Sequence, residues 1–252
     1  MAAARRALLV AAAAALLVPA LAGCSRRAGV RGRAVPAGAT VLALGDSLTF
    51  GTGATPDTAY PAVLAGLTGW NVLNAGVPGD TSAQALERLG PLLADHRPAL
   101  VLASIGGNDF LRRQDEGATR ANIERICRET LAAGAQVLLI AVPRPSLAVA
   151  VTGSLTDHPL YAELADALQL PLHRQGWAEV LADESLRADR IHANAKGYAE
   201  FARGLLGTAR AAGLLAQRGA DGARVHALNA QTSPAGIRAR PPARPHVPHR
   251  AA

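Results

Sequence analysis

Aromatic side chains are nearly missing from this chain: three Phe, three Tyr and two Trp in 252 residues. Half the residues are apolar, so a core has to be assembled mainly from Ala, Leu and Val. Cysteine is reduced to Cys24 and Cys127. Cys127 shares an apolar stripe with Ile123, Ile126 and Leu131 on an expected helix and reads as a small buried hydrophobe. Neither HxxxH nor CxxC spacing occurs among the scattered histidines and the two cysteines, so no metal and no cofactor are expected. There is no G-x-G-x-x-G to support nucleotide binding and no G-x-S-x-G nucleophile elbow.

The length suggests one domain with appendages. Acidic residues are missing from the last stretch, where Arg238, Arg240, Arg244 and Arg250 stand among prolines. Arg5 and Arg6 open the chain. These ends carry much of the formal charge of +7, and the body between them is closer to neutral. The basicity is not gathered on a patterned recognition element, so a nucleic-acid partner is not expected.

What is present begins with an address. Arg5-Arg6 is followed by an apolar run from Ala7 to Val18, too short for a comfortable membrane span and placed as an export signal. Leu21-Ala22-Gly23-Cys24 then resembles the bacterial lipoprotein signal. That resemblance implies cleavage before Cys24, lipidation of its sulfur and new amino group, and a bacterial cell-envelope location with a membrane anchor. Residues 24–38 are expected to form a flexible tether, 39–228 the folded domain, and 229–252 a disordered Pro/Arg-rich tail.

In the body, apolar runs at 40–44, 71–74, 99–104 and 136–142, with a short one at 170–172, read as strands. Helical segments are expected at 60–67, 81–94, 118–133, 159–168, 175–181 and 194–210, with Pro91 kinking or dividing the second. Strands without polar alternation, separated by helices, indicate an α/β fold: a three-layer αβα sandwich around a parallel sheet of about five strands. Ligands in such sheets bind beyond the carboxyl ends of the strands. The unusual residues fall there: Gly45-Asp46-Ser47 after the first strand, Asn74 through Asp80 after the second, and Gly106-Gly107-Asn108-Asp109 after the third.

Those groups, followed by Asp189-Arg190-Ile191-His192, resemble the four blocks of the SGNH (GDSL-type) hydrolases in their expected order. The closest match is to the thioesterase I, lysophospholipase L1 and arylesterase branch, on the strength of Asn74–Ser82 (NAGVPGDTS) and the GGND segment. The resemblance implies a flavodoxin-like SGNH fold and a serine hydrolase acting on small-molecule or lipid acyl esters. A serine hydroxyl needs a base, for which His192 is suited, and Asp189 would orient the imidazole. The family assigns the oxyanion donors to the N–H of Ser47, the N–H of Gly79 and the side-chain amide of Asn108. Asp46 and Asp109 are expected to fix loop geometry, and Asn74 to brace the second block. Leu147, Val149 and Leu155 are candidate contacts of an acyl chain. The residues leave open a carbohydrate or cell-wall O-acetyl esterase, and a non-catalytic envelope lipoprotein on the same fold.

Overall fold

Thr40–Gly45 is almost wholly apolar and β-rich, and it forms the first strand, β1, of a parallel sheet. The computed structural model describes residues 30–144 and 155–215. A one-turn helix α1 (Ser47–Phe50) follows β1, then α2 (Tyr60–Thr68) and β2 (Asn71–Gly76). After these come α3 (Ser82–His96), β3 (Leu100–Ser104), α4 (Gly107–Leu111), α5 (Glu116–Ala132) and β4 (Gln136–Ile140). The chain continues through α6 (Pro159–Leu168), β5 (Leu172–His173), α7 (Gly176–Ala182), a short turn of 3-10 helix (Glu184–Leu186) and α8 (Ala195–Ala211).

The five strands lie in the order β2-β1-β3-β4-β5, every neighbouring pair parallel. This is the flavodoxin-like order. From β1 the chain steps one way to β2 and then back across to β3, so the connections leaving β1 and β3 diverge and open a crevice at their carboxyl ends. Helices α2 and α8 pack together, as do α3 and α5. An Arg120–Glu163 ion pair joins α5 to α6 at 3.7 Å. β1, β3 and β4 are buried almost throughout, as strands covered on both faces must be.

The few aromatics are concentrated. Trp177 stacks on Phe201 with ring centroids 3.5 Å apart, and Tyr60 and Tyr198 meet this pair edge to face. All four are fully buried or nearly so. Cys127 is buried as the sequence implied, and burial pushes its thiol up to about 12, which leaves it inert.

Three expectations need correction. The expected tether of residues 24–38 is not free along its whole length: the stretch from Gly32 onward packs on the domain. Val35 is 2% exposed, and its carbonyl accepts the Trp70 indole N–H at 3.1 Å. Gln136 brackets Arg33 with two side-chain hydrogen bonds, and Gly32 and Val35 donate to the carbonyls of Ala212 and Leu214. An Arg/Gly-rich segment looks free when its apolar residues are counted alone. Here a single valine with five hydrogen bonds is enough to seat it. Second, Pro91 neither divides nor ends α3, which runs unbroken from Ser82 to His96 with a Thr81–Gln84 capping box at its start. Third, of the run 170–172 expected to begin the fifth strand only Leu172 belongs to it, and the strand is two residues long, Leu172–His173.

Because Val35 belongs to the core, a chain starting at residue 39 should be less stable than one starting at residue 30. The loss of its burial and of the Trp70 hydrogen bond amounts to about 2–4 kcal/mol. Urea unfolding of the two truncations measures this, and equal midpoints would return residues 30–38 to the status of a tether.

Candidate active site

The turn after β1 is shaped by Asp46, whose carboxylate caps α1 by accepting the Leu48 N–H at 3.0 Å. Gly51 closes the single turn in the left-handed conformation, φ 101°. Ser47 is thereby placed at the first position of α1, at the carboxyl end of β1.

From the far end of the chain, the loop before α8 brings two side chains to the same place. His192 Nε2 lies 2.9 Å from Ser47 Oγ, and His192 Nδ1 lies 2.7 Å from Asp189 Oδ2. Asp189 is itself held by the N–H groups of Ile191 and His192, which donate to Oδ1 at 2.8 and 2.9 Å. The spacing D-x-x-H makes this closure possible: Ala188 N–H donates to the His192 carbonyl, so the loop folds back on itself. Partial burial would raise the Asp189 pKa. The hydrogen bonds from the His192 side chain and the two N–H groups outweigh it and hold the carboxyl below its ordinary value. Asp189 is therefore the ionised partner that an imidazolium requires.

Asn194 caps α8 by accepting the Gly197 N–H, and its side-chain amide donates to the carbonyls of Ser185 and Arg187. It fastens both ends of the loop that carries Asp189 and His192. The sequence marks only the helix start at this position; both tasks need the folded loop to be seen.

The second and third loops complete the rim. Gly79 has φ +86°, a conformation that favours glycine, and its N–H makes no hydrogen bond among the described residues. The Ser47 N–H is likewise unengaged among them. Asn108, near the start of α4, directs Nδ2 at the Asp80 carbonyl (3.0 Å) and at Asp46 Oδ2 (3.5 Å). Gly79–Asp80, Asn108 and the Asp46–Ser47 turn are thus neighbours. Donors arranged this way around a nucleophilic hydroxyl can stabilise a developing oxyanion.

Asp109 and Asn74 stand behind these groups. Asp109 is buried and accepts from the backbone and hydroxyl of Ser82 at 2.8 and 2.6 Å and from Thr119 at 3.3 Å, tying α4 to α3 and α5. Asn74 bridges the Gly76 N–H and the Phe50 carbonyl, so the second loop is fixed to α1. Arg88 escaped the sequence reading. It joins the Asp80 carboxylate at 2.7 Å to the Gly45 carbonyl at 2.9 Å and so ties the second loop to the end of β1. A lone arginine on a helix gives no sequence signal for such a role. Cys24, Leu147 and Val149 lie outside the described residues, and Leu155 packs against the core.

A cavity of about 690 Å³ lies elsewhere, beside β5 and the ends of α6 and α8, and shares no residue with these loops. The hydrogen-bonded series, not cavity size, marks the site.

The model of the GDSL-like lipase/acylhydrolase family matches residues 43–200. The chain belongs to that family. It is 36% identical over 163 residues to the thioesterase 1/protease 1/lysophospholipase L1 of Escherichia coli (strain K12), covering 62% of this chain and 76% of that protein. It is also 36% identical over 111 residues to the esterase TesA of Pseudomonas aeruginosa, covering 42% of this chain and 55% of that protein. Among solved structures, that of TesA aligns with TM-score 0.61 and 27% identity, over 68% of this chain and 98% of that one.

Burial raises the Asp46 carboxyl to about 6, against the lowering pull of the Leu48 N–H and of His192. For an acid raised on folding, the native state binds the proton more tightly than the unfolded chain, so ionisation costs stability above about pH 6 and nothing below pH 4. Asp46→Asn should therefore raise stability at pH 8 by up to about 3 kcal/mol, with the gain disappearing as pH falls to 4. Thermal melts at both pH values test this, and a pH-independent difference would contradict it.

Proposed function

We propose that this chain, as a member of the GDSL-like lipase/acylhydrolase family, hydrolyses acyl ester or thioester bonds through an acyl-enzyme on Ser47, and that it is exported and lipid-anchored through Cys24. The observation that carries the catalytic reading is the bridge of His192 between Ser47 Oγ at 2.9 Å and Asp189 at 2.7 Å. The relatives' descriptions as thioesterase, lysophospholipase and esterase support the class of bond. Export and anchoring are supported by the sequence of residues 5–24 alone.

In this mechanism Ser47 Oγ attacks the acyl carbonyl carbon while its proton passes to His192 Nε2. Asp189 keeps Nδ1 protonated and stabilises the imidazolium. The carbonyl oxygen takes up the negative charge between the N–H groups of Ser47 and Gly79 and the Asn108 amide. The carbon–oxygen or carbon–sulfur bond then breaks, and the leaving alcohol or thiol takes the proton from His192. Water repeats the sequence on the acyl-enzyme, returning the acid product and free Ser47. A thiol leaves more readily than an alcohol, so the same groups serve both bonds.

Hydrolysis of p-nitrophenyl esters from acetyl to palmitoyl tests the assignment. Ser47→Ala and Asp189→Asn should each lower kcat by about 10⁴-fold or more, and Asn108→Ala by about 10²–10³-fold. Full activity in folded Ser47→Ala would end the nucleophile assignment. Metabolic labelling with palmitate, lost in Cys24→Ser, tests the anchor separately; no label on the unaltered chain would remove it.

A further inference from the structure

Six large apolar side chains stand exposed among the described residues, and they are not spread evenly. Phe50 (52%), Val77 (41%), Leu111 (49%) and Ile191 (44%) belong to the four segments that converge on Ser47. Phe50 ends α1; Val77 lies two residues before Gly79; Leu111 ends the short helix that carries Asn108; Ile191 lies between Asp189 and His192. The remaining two, Leu67 and Leu131, sit at the carboxyl ends of α2 and α5. Helices that connect parallel strands run back against them, so these two mark the opposite pole of the sheet.

Basic groups accompany the first four. Arg112 and Arg113 follow Leu111, and Arg190 precedes Ile191. None of the three pairs with a carboxylate among the described residues. Arg112 reaches the Gly79 carbonyl at 2.9 Å. Of the nearby acids, Asp189 is engaged by His192, Asp115 caps α5, and Glu116 lies by Arg144 and His158; Asp57 remains as an exposed opposing charge on the neighbouring loop.

We propose that the rim around Ser47 docks on an anionic phospholipid surface, with Phe50, Val77, Leu111 and Ile191 entering the headgroup boundary and Arg113 and Arg190 meeting lipid phosphates. Exposed apolar groups gathered on converging loops mark an interaction surface, and apolar side chains accompanied by arginines suit the interface of an anionic bilayer. The geometry also has a use. Docking would bring an acyl ester to the Ser47 hydroxyl without carrying its chain through water. This purpose rests on the acyl-hydrolase reading; the docking itself is measured without turnover.

The test uses the full chain in a Ser47→Ala background, so that vesicle lipid is not consumed. Phe50→Trp, Leu111→Trp and, at the opposite pole, Leu67→Trp place an indole at three sites. Each protein is mixed with phosphatidylglycerol vesicles whose acyl chains are brominated. The expected result is strong quenching at positions 50 and 111 and none at 67. Quenching should weaken on brominated phosphatidylcholine, and by about fivefold for each of Arg113→Gln and Arg190→Gln. Equal quenching at all three positions, or none at 50 and 111, overturns the proposal. So does an emission shift at position 50 that follows protein concentration without vesicles, which would assign the face to a second copy of the chain. The same tryptophan variants with Ser47 restored, assayed on soluble p-nitrophenyl butyrate, report folding and the nucleophile independently. Normal turnover without quenching would leave the hydrolase reading standing and end this one.

Discussion

The site depends on how closely one turn of helix can be pressed against the end of a sheet. α1 has four residues, far too few to hold its own shape in water. It lies so near the strands that a methyl group on Gly45 would run into the Thr49 side chain and the Ser104 carbonyl, and one on Gly76 into the backbone of Thr49 and Phe50. The absence of two β-carbons on adjacent strands, paired in register, therefore sets where Ser47 sits. Once α1 is seated, the second and third loops can reach it, and the loop of Asp189 and His192 has a fixed target 145 residues away in sequence.

Four of the five Tyr and Trp side-chain hydrogen bonds serve the loops of the site. Tyr60 meets the Thr49 hydroxyl at 3.2 Å and Tyr198 donates to the Thr52 carbonyl at 2.8 Å, so both phenols fasten α1 and the residues just after it. Tyr161 donates to the Ile105 carbonyl at 2.7 Å, and Trp177 to the Ser104 hydroxyl at 3.1 Å, at the loop that leads to Asn108. Burial raises the pKa of all three phenols, so each stays protonated and able to donate. A chain with eight aromatics has placed four of them where an apolar body fills the core and a polar tip reaches a site loop. Core packing and site geometry are in this way the same set of contacts.

This division explains what could be read in advance. The strands were visible as unbroken apolar runs, and the helices by their spacing and caps, because both follow from local pattern. The family resemblance supplied the roles expected of Ser47, Asp189, His192, Gly79 and Asn108; the structure brings all five to one edge of the sheet. What escaped were links between distant segments. Arg88 joining Asp80 to Gly45, Asn194 fastening a nine-residue loop, and Val35 entering the core each depend on a partner that no local pattern announces. The short helix α4 was hidden for a related reason: its glycine-led sequence has little helical propensity, and the buried Asp109 holds it by bonds to α3 and α5.

Asp46 shows why such a site tolerates an unfavourable residue. Burying a carboxylate costs stability, and its raised pKa is the sign of that cost. An uncharged cap at position 46 would hold the Leu48 N–H nearly as well, so capping alone does not account for the charge. The second oxygen supplies a reason. Asn108 has two faces, one that donates and one that accepts. With the Asp80 carbonyl and Asp46 Oδ2 both offering only lone pairs, the amide nitrogen must turn toward them. A neutral amide at position 46 could present its own N–H and admit the opposite orientation. A carboxylate leaves a single arrangement, the one that keeps the Asn108 amide nitrogen on the side of the Asp46–Ser47 turn. The destabilising burial and the fixed direction of the Asn108 amide are two effects of one side chain, as expected where function and stability draw on the same contacts.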